Sequence, residues 1–126
     1  GGGTFYLTGL RDSDGNVLDG RSTYKLNVPV DTPARDFWSV IAYSMETKGF
    51  IRNMERVGLS SRDADTMQTN DDGSWDIYFG PEAPAGKESN FIPTGGEDFF
   101  LLFRLYGPAS KDFYTTWVLG DIVKVN

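Results

Sequence analysis

The chain contains no histidine and no cysteine. Without histidine, no Ser-His, Cys-His or Thr-His nucleophile pair can be assembled within it. Without cysteine there are no disulfides, thiolate metal sites or redox thiols. A zinc or non-haem iron site would have to be built from carboxylates alone, a donor set those metals do not favour. No cofactor and no metal are therefore expected. The missing cysteine does not fix a compartment, because disulfide-free domains occur on both sides of a membrane. Long apolar runs are absent too: nothing approaches the roughly 18 consecutive apolar residues of a membrane-spanning helix.

Basic residues are the scarcer charge. Twelve Lys and Arg face eighteen Asp and Glu, for a formal net charge of −6. An acidic chain repels phosphate backbones and anionic lipid surfaces, so neither nucleic acid nor membrane is expected as a partner.

What is present points to a β protein. The 126 residues suit a single domain over 1–126, with enough chain for one core and not two. Fifteen glycines and an aromatic share of 14% suggest short strands joined by tight turns. The chain opens Gly1-Gly2-Gly3 with no initiator Met and no charged-then-apolar leader. It is expected to be an excised or processed piece of a longer protein.

Period-two alternation and turn residues divide the chain into strands. Residues 4–10 are β-branched and aromatic, and Ser13 to Asn16 form a turn. In 22–30, Tyr24, Leu26, Val28 and Val30 take one face, while Thr23, Lys25 and Asn27 take the other. Pro29 marks an edge or the strand's end. Asp31-Thr32-Pro33 reads as a turn. Residues 36–44 are apolar on both faces, as in a central strand. A short strand is expected at Phe50 to Asn53, and 54–66 are less patterned. Asn70-Asp71-Asp72-Gly73 tolerates positive φ and reads as a hairpin turn. In 74–80, Trp75, Ile77 and Phe79 oppose Asp76 and Tyr78. Residues 81–96 are too rich in proline for a helix. Residues 97–106 form the most apolar strand, 108–116 a loop or short helix, and 117–125 the last strand. Seven or eight short strands with turns about every ten residues predict an all-β sandwich or barrel.

Few constellations carry chemistry. Arg104 lies inside the most apolar strand, on a face with Phe100, Leu102 and Tyr106. A buried guanidinium must be paired, and Asp76 or Asp98 are the expected partners. The acidic turn from Asp12 to Gly20 invites a calcium reading. However, the glycine and glutamate of an EF-hand loop are replaced by Val17 and Thr23, so a turn is expected. Asp71-Asp72-Gly73 reads the same way. Glu82, Glu88, Glu97 and Asp98 cluster around the long loop without a spacing that selects a glycosidase pair. The aromatics Trp38, Trp75, Trp117, Tyr43, Tyr78 and Tyr114 suit a core and, secondarily, a sugar platform.

Six stretches in order carry a family resemblance. They are Asp12-x-x-Gly15-x-x-Leu18-Asp19-Gly20, Tyr24-x-Leu26-x-Val28-Pro29-Val30, Phe37-Trp38-Ser39-Val40 with Tyr43, and Asp72-Gly73-Ser74. Asn90-Phe91-Ile92-Pro93 and Arg104-Leu105-Tyr106-Gly107-Pro108, followed by Trp117, complete the set. Together they resemble the domain of unknown function 1214 family over nearly the whole chain. The segment Asn90 to Pro93 stands where the family pattern has Asn-Trp-Leu-Pro.

The resemblance implies a jelly-roll-like antiparallel β-sandwich with short helical turns, usually the C-terminal part of a bacterial two-domain protein. The partner there is a domain of unknown function 1254, and an exported location, periplasmic or secreted, goes with it. The resemblance brings no catalytic residues. The expectation is a non-catalytic accessory module. It packs on an N-terminal partner domain or on another copy of the chain, and binds a small or saccharide ligand. The alternative is a domain that contributes part of the active site of a two-domain hydrolase. The residues singled out for a ligand are Asn90, Pro93, Arg104, Tyr106 and Trp117.

Overall fold

The computed structural model describes residues 4–9, 11–28, 34–47, 49, 58–63, 65–108 and 122–125. Eight strands lie among them: β1 (Thr4–Gly9), β2 (Tyr24–Val28), β3 (Ala34–Ser44), β4 (Gly58–Ser60), β5 (Trp75–Gly80), β6 (Phe91–Pro93), β7 (Phe99–Pro108) and β8 (Ile122–Lys124). Helical 3-10 turns at Ser61–Asp63 and Glu88–Asn90 are the helical elements among these residues. The strands form a first sheet of order β1-β7-β3-β4 and a second of order β6-β5-β2-β8. The protein is an all-β sandwich of the expected jelly-roll-like kind, its chain passing repeatedly between the sheets. Every pairing is antiparallel except β5 with β6, which is parallel.

Alternation decides which side chains enter the core. In β2, Tyr24, Leu26 and Val28 are buried; in β5, Ile77 and Phe79; in β7, Phe99, Leu101 and Phe103; in β3, Trp38, Val40 and Ala42. With Leu18, Leu59, Met67, Ile92 and Ile122 they make one apolar cluster between the sheets. Aromatic pairs cross it. Phe99 meets the edge of Tyr24 at 5.7 Å and lies nearly parallel to Phe79 at 6.1 Å. Trp38 stacks on Phe103 at 5.7 Å and tilts toward Trp75 of the other sheet at 5.6 Å.

The acidic turns are structural. Asp12 Oδ1 accepts the backbone N–H of Asp14 and of Asn16, both at 2.9 Å, and Gly15 takes φ 85°. Asp72 Oδ1 accepts the backbone N–H of Ser74 at 2.9 Å, and Gly73 takes φ 88°. The second turn joins strands of different sheets rather than closing a hairpin, since β4 pairs with β3 and β5 with β2. Two short strands fall where strands were not expected, β4 within 54–66 and β6 within the proline-rich connection. Three residues carry too little alternation to announce a strand. β2 ends at Val28. The expected strand at 50–53, the turn at 31–33, Tyr114 and Trp117 lie outside the described residues.

Gly20 shows why the first quoted motif ends in glycine. Its N–H donates to Asp98 Oδ1 at 3.1 Å, and its carbonyl accepts from Thr94 Oγ1 at 3.0 Å. These two hydrogen bonds to the segment before β7 bring the backbones so close that a Cβ would overlap the backbone of Glu97. Gly15, by contrast, has open space around it, and only its positive φ opposes a side chain. Gly20→Ala is therefore expected to cost about 1–3 kcal/mol through overpacking, and Gly15→Ala about 1 kcal/mol through backbone strain. Thermal denaturation of the two variants checks the order; a Gly20→Ala protein as stable as Gly15→Ala contradicts the close approach.

Candidate functional site

The residues named from sequence fall on both sheets. Asn90 ends the second 3-10 turn and is 2% exposed. Its Oδ1 accepts the Gln68 N–H at 2.7 Å and the Ser89 hydroxyl at 2.9 Å. Its Nδ2 donates to the carbonyls of Gln68 at 2.9 Å and Asp76 at 3.0 Å. Two donors and two acceptor positions are all that an amide side chain has, so Asn90 is fully engaged in pinning the 65–70 segment to β5. Pro93 ends β6 opposite Gly80 and is half-buried. Both lie in or beside the second sheet.

Arg104 lies on β7 of the first sheet, opposite Ser39 on one side and Tyr6 on the other. Its Nη2 donates to Tyr43 Oη at 3.1 Å. The expected pairing with Asp76 or Asp98 is replaced by this bond. Asp76 Oδ1 instead accepts Asn27 Nδ2 at 2.9 Å within the second sheet, and Asp98 holds Gly20. Tyr106 pairs by backbone register with Thr4 and Phe37. The described members of the set thus form two groups, one on each sheet.

Around Arg104 the outer face of the first sheet is apolar. Ile41 and Tyr43 of β3 and Phe100 and Leu102 of β7 point away from the core and are half-buried. Ile41 pairs with Leu102 and Tyr43 with Phe100. The two rings of the second pair stack at 5.4 Å with an interplanar angle of 15°.

The outer face of the second sheet is different. A cleft of about 570 Å³ opens there between the sheet and the loop after β5. Lys25 and Tyr78, cross-strand neighbours on β2 and β5, line it. Pro81, Pro84 and Val125 supply apolar lining, and Arg21 and Glu82 bring opposite charges. Lys25 is half-buried and has no hydrogen bond or ion pair among the described residues. Burial, reinforced by the Asp76 carboxylate, pushes the Tyr78 phenol up, so it stays protonated and able to donate. Arg21 is held from one side by Asp19, with Nε to Oδ1 at 3.3 Å and Nη2 to Oδ2 at 3.4 Å.

Alternation had placed Lys25 and Tyr78 on the outward faces of their strands, yet nothing in the sequence paired β2 with β5. Among the described residues Glu82 is the one carboxylate lining the cleft, and Arg104 is not part of it. Hydrolysis of a glycosidic bond by paired carboxylates needs two. Among the described residues no group of three or more His, Cys, Asp or Glu could hold a metal ion. No helix among them is long and apolar enough to cross a membrane.

The two sheets, the shared core and these two contrasting outer faces define a β-sandwich domain. The chain belongs to the protein family of unknown function DUF1214, whose profile matches residues 3–110. Comparison with curated proteins finds no match. Among solved structures it is similar to the VPA0106 protein from Vibrio parahaemolyticus, with 25% identity and a TM-score of 0.79. That match covers 98% of this chain and 31% of the other. An uncharacterised protein from Burkholderia cenocepacia shares the fold at 15% identity and a TM-score of 0.62, over 98% of this chain and 30% of the other. The chain thus spans under a third of the length of these two relatives.

Asn90→Asp is expected to cost about 2–4 kcal/mol, because it loses both donors and sets a charge against two carbonyls. Asn90→Ala leaves the same backbone groups unpaired and is also destabilising. Chemical denaturation checks this, and a neutral Asn90→Asp would contradict the clamp. Acid should loosen two turns. The Arg21 N–H and guanidinium hold the Asp19 carboxyl below its ordinary value of 3.8, and the Ser74 hydroxyl and N–H do the same for Asp72. A lowered folded pKa stabilises above the unfolded value, and that contribution fades as pH falls through the lower folded one. Carboxyl titration by NMR should find both midpoints below 3.8, and Asp72→Asn should reduce the acid sensitivity of stability.

Proposed function

We propose that the chain is a non-catalytic accessory β-sandwich that packs on the remainder of a longer polypeptide, with the outer face of the first sheet as its docking surface. The observation that carries the reading is the mismatch of lengths: this fold is under a third of either relative. A module of that kind needs a face for its neighbour. Ile41, Tyr43, Phe100 and Leu102 offer an aromatic and aliphatic strip, with the Arg104–Tyr43 bond beside it. Interfaces within a chain usually bury about 600–1,500 Å², with apolar patches at their centre. On the family resemblance, the neighbour we propose is an N-terminal domain of unknown function 1254, and the location we propose is exported. For a small or saccharide ligand we propose the cleft on the second sheet in place of Asn90, Pro93, Arg104, Tyr106 and Trp117, none of which lines it. Cut from its neighbour, the chain is expected to associate with another copy through the same strip.

Radical footprinting of the isolated chain and of the longer polypeptide tests the docking. Tyr43, Phe100 and Leu102 should be modified in the first and protected in the second; equal modification would count against the surface. Sedimentation at high concentration should show self-association of the isolated chain that Leu102→Glu weakens, whereas a clean monomer contradicts it.

A further inference from the structure

We propose that the cleft on the second sheet binds the carboxylate and ring of an acidic sugar, a hexuronate, with Lys25 as the carboxylate's partner. The proposal builds on the ligand half of the function above and is independent of the docking half, which concerns the opposite face.

Three features of the cleft select this chemistry. The first is a cation without a partner among the described residues. Lys25 stands in the middle strand of three, between Tyr78 and Val123, half-buried and with no hydrogen bond or ion pair among the described residues. A charge in that setting gains most from an incoming anion, because its partial desolvation is already in place. The Tyr78 hydroxyl is a second donor in the same cleft. Arg21 is a third: Asp19 engages Nε and Nη2 of its exposed guanidinium, which has five N–H donors in all.

The second feature is the mixture of an aromatic ring and apolar lining. Tyr78, Pro81, Pro84 and Val125 present C–H and ring surface, against which the apolar face of a pyranose packs. A volume of about 570 Å³ lies within the usual range of small-molecule sites.

The third feature is Glu82, which decides between anions. Two cations and one carboxylate line the cleft. A phosphate dianion or a polyphosphate would meet Glu82 as a like charge. A hexuronate satisfies all three, its single carboxylate facing Lys25 and Arg21 and its hydroxyls donating to Glu82. A neutral sugar would leave the cations unanswered, and acetate would leave the ring surface and Glu82 unused.

Titration of the ¹⁵N-labelled chain with glucuronate and galacturonate, followed by NMR, tests the assignment. Amide shifts are expected at Arg21–Lys25, Tyr78–Gly80, Glu82, Ala83 and Val125, and should weaken as salt is added. Glucose, acetate and inorganic phosphate should bind at least about tenfold more weakly, and Lys25→Met should lose about tenfold in affinity, the worth of one charge-assisted hydrogen bond. Arg21→Gln, at an exposed side chain, gives a second reading on a variant expected to fold normally and should weaken binding in the same direction. No shift in the cleft with either uronate overturns the proposal, as does phosphate or glucose binding as well as the uronates. Unchanged affinity in a folded Lys25→Met also overturns it. Footprinting of the first sheet reads the docking surface separately, so the two readings can fail independently.

Discussion

Phe99 is the point on which the sandwich turns. It is the first residue of β7, and its ring reaches across to Tyr24 of β2 and Phe79 of β5. Aromatic contacts of this kind add about 0.5–1.5 kcal/mol each beyond the area they bury. The position matters more than the sum. Immediately before Phe99, Asp98 accepts the N–H of Gly20, and Tyr24 Oη accepts the N–H of Asp19 at 2.8 Å. One junction therefore fixes the start of β7, the start of β2 and the loop leading into β2. The tight approach at Gly20 follows from this arrangement, since Thr94 and Asp98 both reach its backbone.

With both inner faces committed to a single core, the sheets can meet another molecule only through their outer faces or edges, and the two outer faces differ. On the first sheet, Ser39, Ile41 and Tyr43 stand beside Phe100, Leu102 and Arg104, mostly apolar and suited to a protein neighbour. On the second, Lys25, Asn27, Asp76 and Tyr78 stand beside each other, mostly polar and suited to a small solute. Asn90 belongs with neither. It closes the edge of the second sheet by satisfying backbone groups that the 65–70 segment cannot pair by itself.

Faces were legible in the sequence and neighbours were not. Alternation alone put Tyr24, Leu26 and Val28 on one side and Thr23, Lys25 and Asn27 on the other, as the fold has them. It separated Phe100, Leu102 and Arg104 from the buried Phe99, Leu101 and Phe103. The period of two says nothing about which strand lies alongside, or in which sheet. Alternation therefore matches Arg104 with Asp76 or Asp98, which hold Asn27 and Gly20 instead. An Arg104 bond goes to Tyr43 on the adjacent strand, a tyrosine whose sequence pattern favours the core. The short β6 escaped for a related reason. A three-residue strand between prolines and glycines has no period to read, and its parallel pairing with β5 depends on the long connection folding back. The cleft was hidden in the same way, since Lys25 and Tyr78 are 53 positions apart in the chain and become neighbours only through the β2–β5 register.

Net charge misleads at this scale. A chain at −6 repels anions as a whole, and that long-range field weighs against polyanions such as nucleic acid. Within a cleft the field is set by the groups a few ångströms away, because mobile ions screen the rest over about 8–10 Å at physiological salt. Around Lys25 those groups are Arg21, the Tyr78 hydroxyl and Glu82 in the cleft, with the Asp76 carboxylate beside Tyr78 on the same face. Arg21 reaches back to Asp19 from an exposed side chain, and the Asp19 N–H donates to Tyr24 Oη, whose ring meets Phe99. The rim of the cleft is thereby linked to the core. On the proposal above, an acidic surface that weighs against extended polyanions is compatible with a local seat for a single carboxylate at Lys25 and Arg21.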